Sequence, residues 1–374
     1  MAHPRNQISR RRFVEGAGVA GLGLLAGCAA GGTSRAPANA SVADIATLRG
    51  PDRQAILEAG AKQEGQLLWY TSLIVNQVVR PLADDFTRRY PYVKVDHYRA
   101  DSDALAERIL SEYQAQRYDV DITDGSLGAV TLKAAGLLAR FDSPPVAVYA
   151  PETRDPEGYW CASNVYFMTE GINTRLVARD AAPRTYEDLL DPKWKGQMAW
   201  ATSPAAGGPM FIGSILGIMG PDKGMVYLEQ LSKQGIRNLN VSTRAVVDQM
   251  IAGEFPISLY IFNHHTVISA NQGAPSDWIP LEPVPATLNA FGLARNAPHP
   301  HASMLFLDYV FSEDGQRIIQ EAEYLPAHPR VPAKTPTLKP EQGHFRVHVL
   351  SPEDVLKTNS EWVDIYRRLF LQAG

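Results

Sequence analysis

The chain has 374 residues, with 36 Lys and Arg against 40 Asp and Glu and a formal net charge of −4. That length exceeds what one hydrophobic core usually serves, so two lobes are expected. The charge balance lacks the basic footprint of a nucleic-acid binder, so no nucleic-acid partner is expected.

The chain opens with Ser9-Arg10-Arg11-Arg12-Phe13-Val14 and a glycine-rich apolar run to Gly27, broken by Glu15. Positive charge, a short apolar stretch and small residues describe a bacterial export signal. The arginine pair before Phe13 resembles a twin-arginine (Tat) signal, which exports folded proteins. Leu25-Ala26-Gly27-Cys28 is similar to a lipobox, in which Cys28 carries lipid. Acyl chains on Cys28 would anchor the protein, because the apolar run falls short of the ~20 residues of a spanning helix. Residues 1–27 carry four arginines and one glutamate, a net +3, so their removal takes the charge from −4 to −7. Cys161, the other cysteine, is then left without an intrachain partner and reads as a buried strand residue.

Residues 28–50 are rich in Ala, Gly, Ser and Thr and read as a flexible tether. From Pro51 a short amphipathic helix runs to Gly65. Leu67–Tyr70 suits a buried strand, and Val75–Tyr90 carries apolar residues at helical spacing. Val93, Val95 and His97 alternate as a strand does, Leu105–Tyr113 is a helix, Tyr118–Thr123 a strand, and 127–138 a helix. This alternation predicts a mostly parallel sheet flanked by helices. A long strand from Tyr159 leads into a second lobe with helices near 210–219, 223–234 and 244–252. Pro280–Pro285 marks the return, a core helix follows at 302–310, and Ser312 caps the next helix, with Glu313 and Asp314 in its first turn. His299 and His301 flank Pro300 and read as a solvated turn. The expected organisation is a signal at 1–27, a tether at 28–50, a first lobe of 51–160 plus 285–374, and a second of 161–284.

Several segments resemble one family. Tyr186-Glu187-Asp188-Leu189-Leu190-Asp191-Pro192-Lys193-Trp194-Lys195-Gly196 is similar to a signature of ferric-iron-type periplasmic solute-binding proteins. So are Ala135–Leu138, Gly253–Pro256, Asn296–Ala302, Phe306–Gln316 and the closing turn Tyr324-Leu325-Pro326, in matching order from about Gly65 to Pro332. The resemblance implies an α/β, two-lobe type 2 periplasmic binding protein, a Venus-flytrap clamp with a mostly parallel sheet in each lobe. It implies a monomeric lipoprotein held at the membrane outside the cytoplasm, capturing a solute for an ABC permease and ATPase.

In open parallel sheets the strand C-termini and helix N-termini face one crevice, and free helix N–H groups suit anions. The expected ligand contacts are Tyr70, Thr71 and Ser72; Thr123, Asp124, Gly125 and Ser126; Ser203, Ala206 and Gly207; Thr243 and Arg244; and Asn263 and His264. Arg244, beside Thr243 at a helix start, is built for a carboxylate or phosphate. Iron-binding members of the resembling family place two adjacent tyrosines at the positions of Asn263 and His264. Their acidic ligand falls on Asp124, and their early histidine falls near Leu73 or Ile74. Asp124 and His264 are therefore the metal candidates, and adjacent histidines on an extended segment would point in opposite directions. The expected ligand is a small anion or organic solute. The alternatives are ferric iron or an iron chelate, or sensing through a membrane histidine kinase. A ferric or divalent ion would enter as ligand, with no cofactor required. No catalytic signature is present, so no enzyme is expected.

Overall fold

The computed structural model describes residues 40–371. The expected export signal at 1–27 and the expected lipid site Cys28 lie outside the described residues. The first elements are α1 (Val42–Ala46), α2 (Arg53–Glu64), β1 (Gln66–Thr71), α3 (Arg80–Arg89), β2 (Lys94–Arg99), α4 (Ser102–Gln114), β3 (Ile122–Gly125), α5 (Gly128–Ala134), β4 (Leu138–Ala139) and β5 (Trp160–Asn173). They continue as β6 (Met198–Ala201), α6 (Gly208–Met219), α7 (Pro221–Leu231), β7 (Arg237–Leu239), α8 (Thr243–Ala252), β8 (Ile257–Phe262), α9 (Asn263–Asn271), β9 (Ser276–Ile279) and β10 (Val284–Ala294). The last are α10 (Pro300–Phe311), α11 (Glu313–Glu321), α12 (Pro340–Gly343), β11 (Val347–Val349) and α13 (Pro352–Tyr366).

The strands join in the order β2-β1-β3-β10-β5-β8-β6-β7, with β4 and β11 on β10 and β9 on β5. β1 runs parallel to β2 and β3, and β6 runs parallel to β7 and β8. Two long antiparallel strands, β5 and β10, join these parallel sets. β5 belongs to both sides: Trp160–Phe167 pairs with β10, and Met168–Asn173 pairs with β8 and β9. It is nearly all buried, as a strand covered on both faces must be.

Helices cover each side for identifiable reasons. Phe306 of α10 lies 5.3 Å from the Trp69 ring and 5.1 Å from Phe86. Arg53, itself buried, pairs with Asp308 and so ties α2 to α10. His299 and His301 are partly buried at the start of α10, where expectation had a solvated turn. Their Nδ1 atoms lie 2.9 Å from Asp121 and 2.6 Å from Glu64, fixing the helix start to the residue before β3 and to the end of α2. Asp121 raises the His299 pKa. Ser312 caps α11 as expected, accepting from the Gly315 N–H at 3.3 Å.

Two stretches differ from the sequence reading. Within the expected tether, Ser41 forms a capping box with Asp44, and Ile45 and Ala46 of α1 are buried. Two apolar side chains at the right spacing were enough to dock that turn. The C-terminal stretch, expected with residues 51–160, packs against residues between 161 and 284: Trp362 of α13 lies against Gly213 of α6, and Phe370 sits 4.8 Å from the Trp200 ring. A Cβ at Gly213 would fall 2.4 Å from the indole, so the glycine permits this approach.

Candidate functional site

A cavity of about 400 Å³ opens where the two sides of the sheet face each other. Four helix starts point at it: α4 through Asp101–Asp103, α8 through Ser242–Arg244, α9 through His264 and His265, and the Ser203–Ala206 turn ahead of α6. Each start leaves backbone N–H groups free for an acceptor. Ser72 and Ser126 add hydroxyls from the β1 and β3 ends, and Arg99 adds a guanidinium from the end of β2. Tyr166, Phe262 and Tyr324 complete the wall.

The structure divides the predicted contacts. Ser72, Ser126, Ser203, Ala206, Thr243, Arg244 and His264 line the cavity. Tyr70, Thr71, Thr123, Asp124, Gly125, Gly207 and Asn263 do not. Tyr70 is buried and donates to Glu112 at 2.9 Å, beneath Arg108. Thr71 and Thr123 are buried where β1 meets β3, and Thr71 Oγ1 accepts from the Leu73 N–H at 3.1 Å. Gly125 lets α4 come close, since a Cβ there would fall 2.3 Å from Ser102 Oγ; Gly207 does the same against the Ala201 carbonyl at 2.2 Å. Asn263 is fully buried and donates to the Leu338 carbonyl at 3.0 Å.

Asp124 is buried behind the cavity wall and fully engaged. It accepts from Trp69 Nε1 at 2.8 Å, from Ser72 N at 3.0 Å and from Ser72 Oγ at 2.7 Å. Burial raises its pKa, while the bonds from Ser72 and Trp69 oppose the shift. As a metal candidate Asp124 is displaced by these bonds, which orient its oxygens into the protein.

The histidines follow a different geometry from the one expected. β8 ends at Phe262 and α9 begins at Asn263, so His264 and His265 sit in a first helical turn rather than on a strand. Residues one apart on a helix are about 100° apart instead of opposed, and both reach the cavity. His264 has neither ring nitrogen paired, and His265 Nδ1 is also unpaired. Burial, with Arg244 nearby, pushes the His264 pKa down to about 3 and lowers His265 as well. Both imidazoles are neutral at physiological pH, each with a donor and an acceptor nitrogen. Arg244 spends part of its fork on the protein, donating to Asp248 at 2.7 Å, Ser269 Oγ at 2.9 Å and the His265 carbonyl at 3.2 Å. Among the described residues, no group of three or more His, Cys, Asp or Glu is placed to hold a metal ion. Cys161 is buried with its thiol pKa raised by desolvation, as suits a core position.

Sequence reasoning missed Arg99, Asn240, Phe262, Tyr166 and Tyr324, while His265 stood in a segment it placed at the crevice. Arg99 was within reach, because strand carboxyl ends face the crevice. Tyr324 stood in a quoted motif but was read as a turn.

Residues 130–347 match the sequence profile of the bacterial extracellular solute-binding proteins. The chain belongs to this family. Its members capture solutes outside the cytoplasmic membrane for ABC permeases and are not enzymes. The Fe(3+)-binding periplasmic protein of Serratia marcescens is 23% identical over 251 residues, 65% of this chain and 73% of the relative. Among solved structures, the Trichodesmium protein in complex with iron and citrate ligands superposes with a TM-score of 0.67 at 21% identity, covering 82% of this solute-binding protein and 99% of that chain. AfuA from Actinobacillus pleuropneumoniae with bound fructose-6-phosphate has a TM-score of 0.72 at 21% identity, over 83% and 100%. These likenesses establish the type 2 periplasmic binding protein fold expected from the sequence.

Proposed function

We propose that this solute-binding protein carries ferric iron as a complex with a small oxygen-donor anion and hands it to an ABC permease. The observation that carries the reading is the make-up of the cavity. It gathers helix N-termini, hydroxyls and two arginines suited to an anion, with Arg99 paired to Asp101 and Asp103 beside them, and among the described residues no set of three His, Cys, Asp or Glu placed to hold a bare ion. A chelator that brings its own oxygens satisfies the metal, and the protein then needs only to recognise the chelator's charge. The name of the Serratia relative favours iron over the small anion or organic solute first expected from the sequence. The iron and citrate of the Trichodesmium structure are in keeping with a chelate.

In this reading the first lobe comprises residues 40–160 with 285–350, and the second 161–284 with the C-terminal 352–371. The solute draws the two together about β5 and β10. Lipidation at Cys28 after Tat export holds the monomer outside the cytoplasmic membrane, and it performs no catalysis.

Thermal-shift titration of the mature chain tests the function. Ferric citrate should raise the melting temperature, as a ligand that binds only the folded state must. Citrate alone, which presents the charge without the metal-fixed shape, should raise it less, and a hexose phosphate should not raise it. Stabilisation by the hexose phosphate without response to ferric citrate would overturn the iron reading.

A further inference from the structure

We infer that the chelator carried in this site bears an aromatic ring with adjacent oxygen donors; this rests on the iron-chelate reading above. One end of the cavity is built from rings. Tyr166 lies 4.6 Å from Phe262 and stacks on His264 at 5.9 Å, with 19° between the Tyr166 and His264 planes. Tyr324 lies 5.0 Å from the His264 ring, and Phe262 meets His265 edge-on at 5.2 Å. These rings come from β5, β8, α9 and the segment after α11, so no single local motif produces the cluster.

The polar requirement of that wall is equally specific. His264 is 1% exposed, faces the cavity and leaves both ring nitrogens unpartnered. Buried polar groups in folded proteins are almost always paired, so this imidazole is waiting for a partner that enters with the ligand. A neutral imidazole offers one donor and one acceptor. A ring with ortho oxygens, one of them still protonated or shared with the metal, meets both while its face lies against Tyr324 or Phe262. An aliphatic hydroxy acid meets the hydroxyl and arginine side of the cavity but leaves methylenes against the rings. At about 400 Å³ the space lies low in the ~300–1,000 Å³ range of small-ligand sites, so it suits single-ring chelators rather than a large siderophore.

The experiment compares ferric 2,3-dihydroxybenzoate with ferric citrate by fluorescence titration of the mature chain. The expected result is about tenfold tighter binding of the aromatic complex, since a well-placed ring pair changes affinity roughly two- to tenfold. In Tyr324→Leu the aromatic complex should lose more affinity than the citrate complex, bringing the two within about threefold. Phe262→Leu, at a half-buried position on the cavity wall, should act in the same direction and serves if Tyr324→Leu does not fold. Equal or tighter binding of ferric citrate to the unaltered protein would overturn the aromatic inference and leave the iron-chelate function standing. Binding of neither complex would overturn both. Equal weakening of the two complexes in the variants would assign the rings to packing and also overturn the inference.

Discussion

Asp124 and His264 approach the same cavity from opposite sides of the sheet, and each is 1% exposed. Asp124 lies near the end of β3 and has its oxygens filled by Trp69 and Ser72. His264 opens α9 and has no hydrogen-bond partner on either ring nitrogen. The first is part of the scaffold, because its capacity is used up by the fold. The second is the proposed binding group, because both its ring nitrogens are unpaired at the cavity. Burial alone does not separate the two residues; unpaired nitrogens that also face the cavity do.

The largest test of that contrast is Asp124→Ala. It strands the Trp69 and Ser72 donors in the interior and should cost about 3 kcal/mol of stability in urea denaturation. Affinity of the folded fraction for a ferric chelate should stay within about threefold. A tenfold or greater loss of affinity at unchanged stability would reverse the roles assigned to the two residues.

The pair should also respond oppositely to pH. Unfolded histidine takes up a proton near its usual 6.5, whereas folded His264 does so only near 3. Between those values the unfolded chain binds more protons, so stability falls as pH drops from 6.5 toward 3. The slope is about 1.4 kcal/mol per pH unit for one such group. His265 adds in the same direction. Asp124, with its pKa raised, contributes stability that grows as pH falls through its folded value. His264→Phe should flatten the acid-side loss in melting temperature measured from pH 7 to pH 4. An unchanged slope would show that His264 is not the buried neutral group described.

A smaller effect sharpens the binding side of the comparison. At pH 7 His264→Phe should leave the ligand-free melting temperature unchanged or raised, since it removes unsatisfied buried nitrogens. It should weaken ferric-chelate binding about tenfold by isothermal titration. A loss of stability comparable to Asp124→Ala would place His264 in the scaffold. The smallest effect is expected at Arg244, whose fork is partly spent on Asp248, Ser269 and the His265 carbonyl. Arg244→Gln should weaken binding about threefold, less so at high salt.

The strands and helices were legible where the pattern was local. Leu67–Tyr70 is apolar and short, and it became β1; the spacing of Leu105 and Ile109 became α4; Ser312 followed by two acidic residues became the cap of α11. The family motifs were legible too, yet several are structural. Asp191 accepts from the Lys193 N–H at 2.9 Å and Trp194 is buried, so that signature marks a turn and not a ligand. The site was half legible. Rules about strand ends and helix starts found Ser72, Ser126, Thr243 and Arg244, because those positions follow from the order of elements.

The amino-acid order alone determined the alternation of strands and helices, the family, and the crevice toward which the helix N-termini point. Tertiary structure decided which of the polar residues at that crevice are free. Asp124 is filled by Trp69 and Ser72, 55 and 52 positions away, Asn263 gives its amide N–H to Leu338, 75 positions away, and the ring wall joins residues 166, 262, 264 and 324. Periodicity reports on neighbours within a turn or a strand, while hydrogen-bond satisfaction depends on chain segments that only packing brings together.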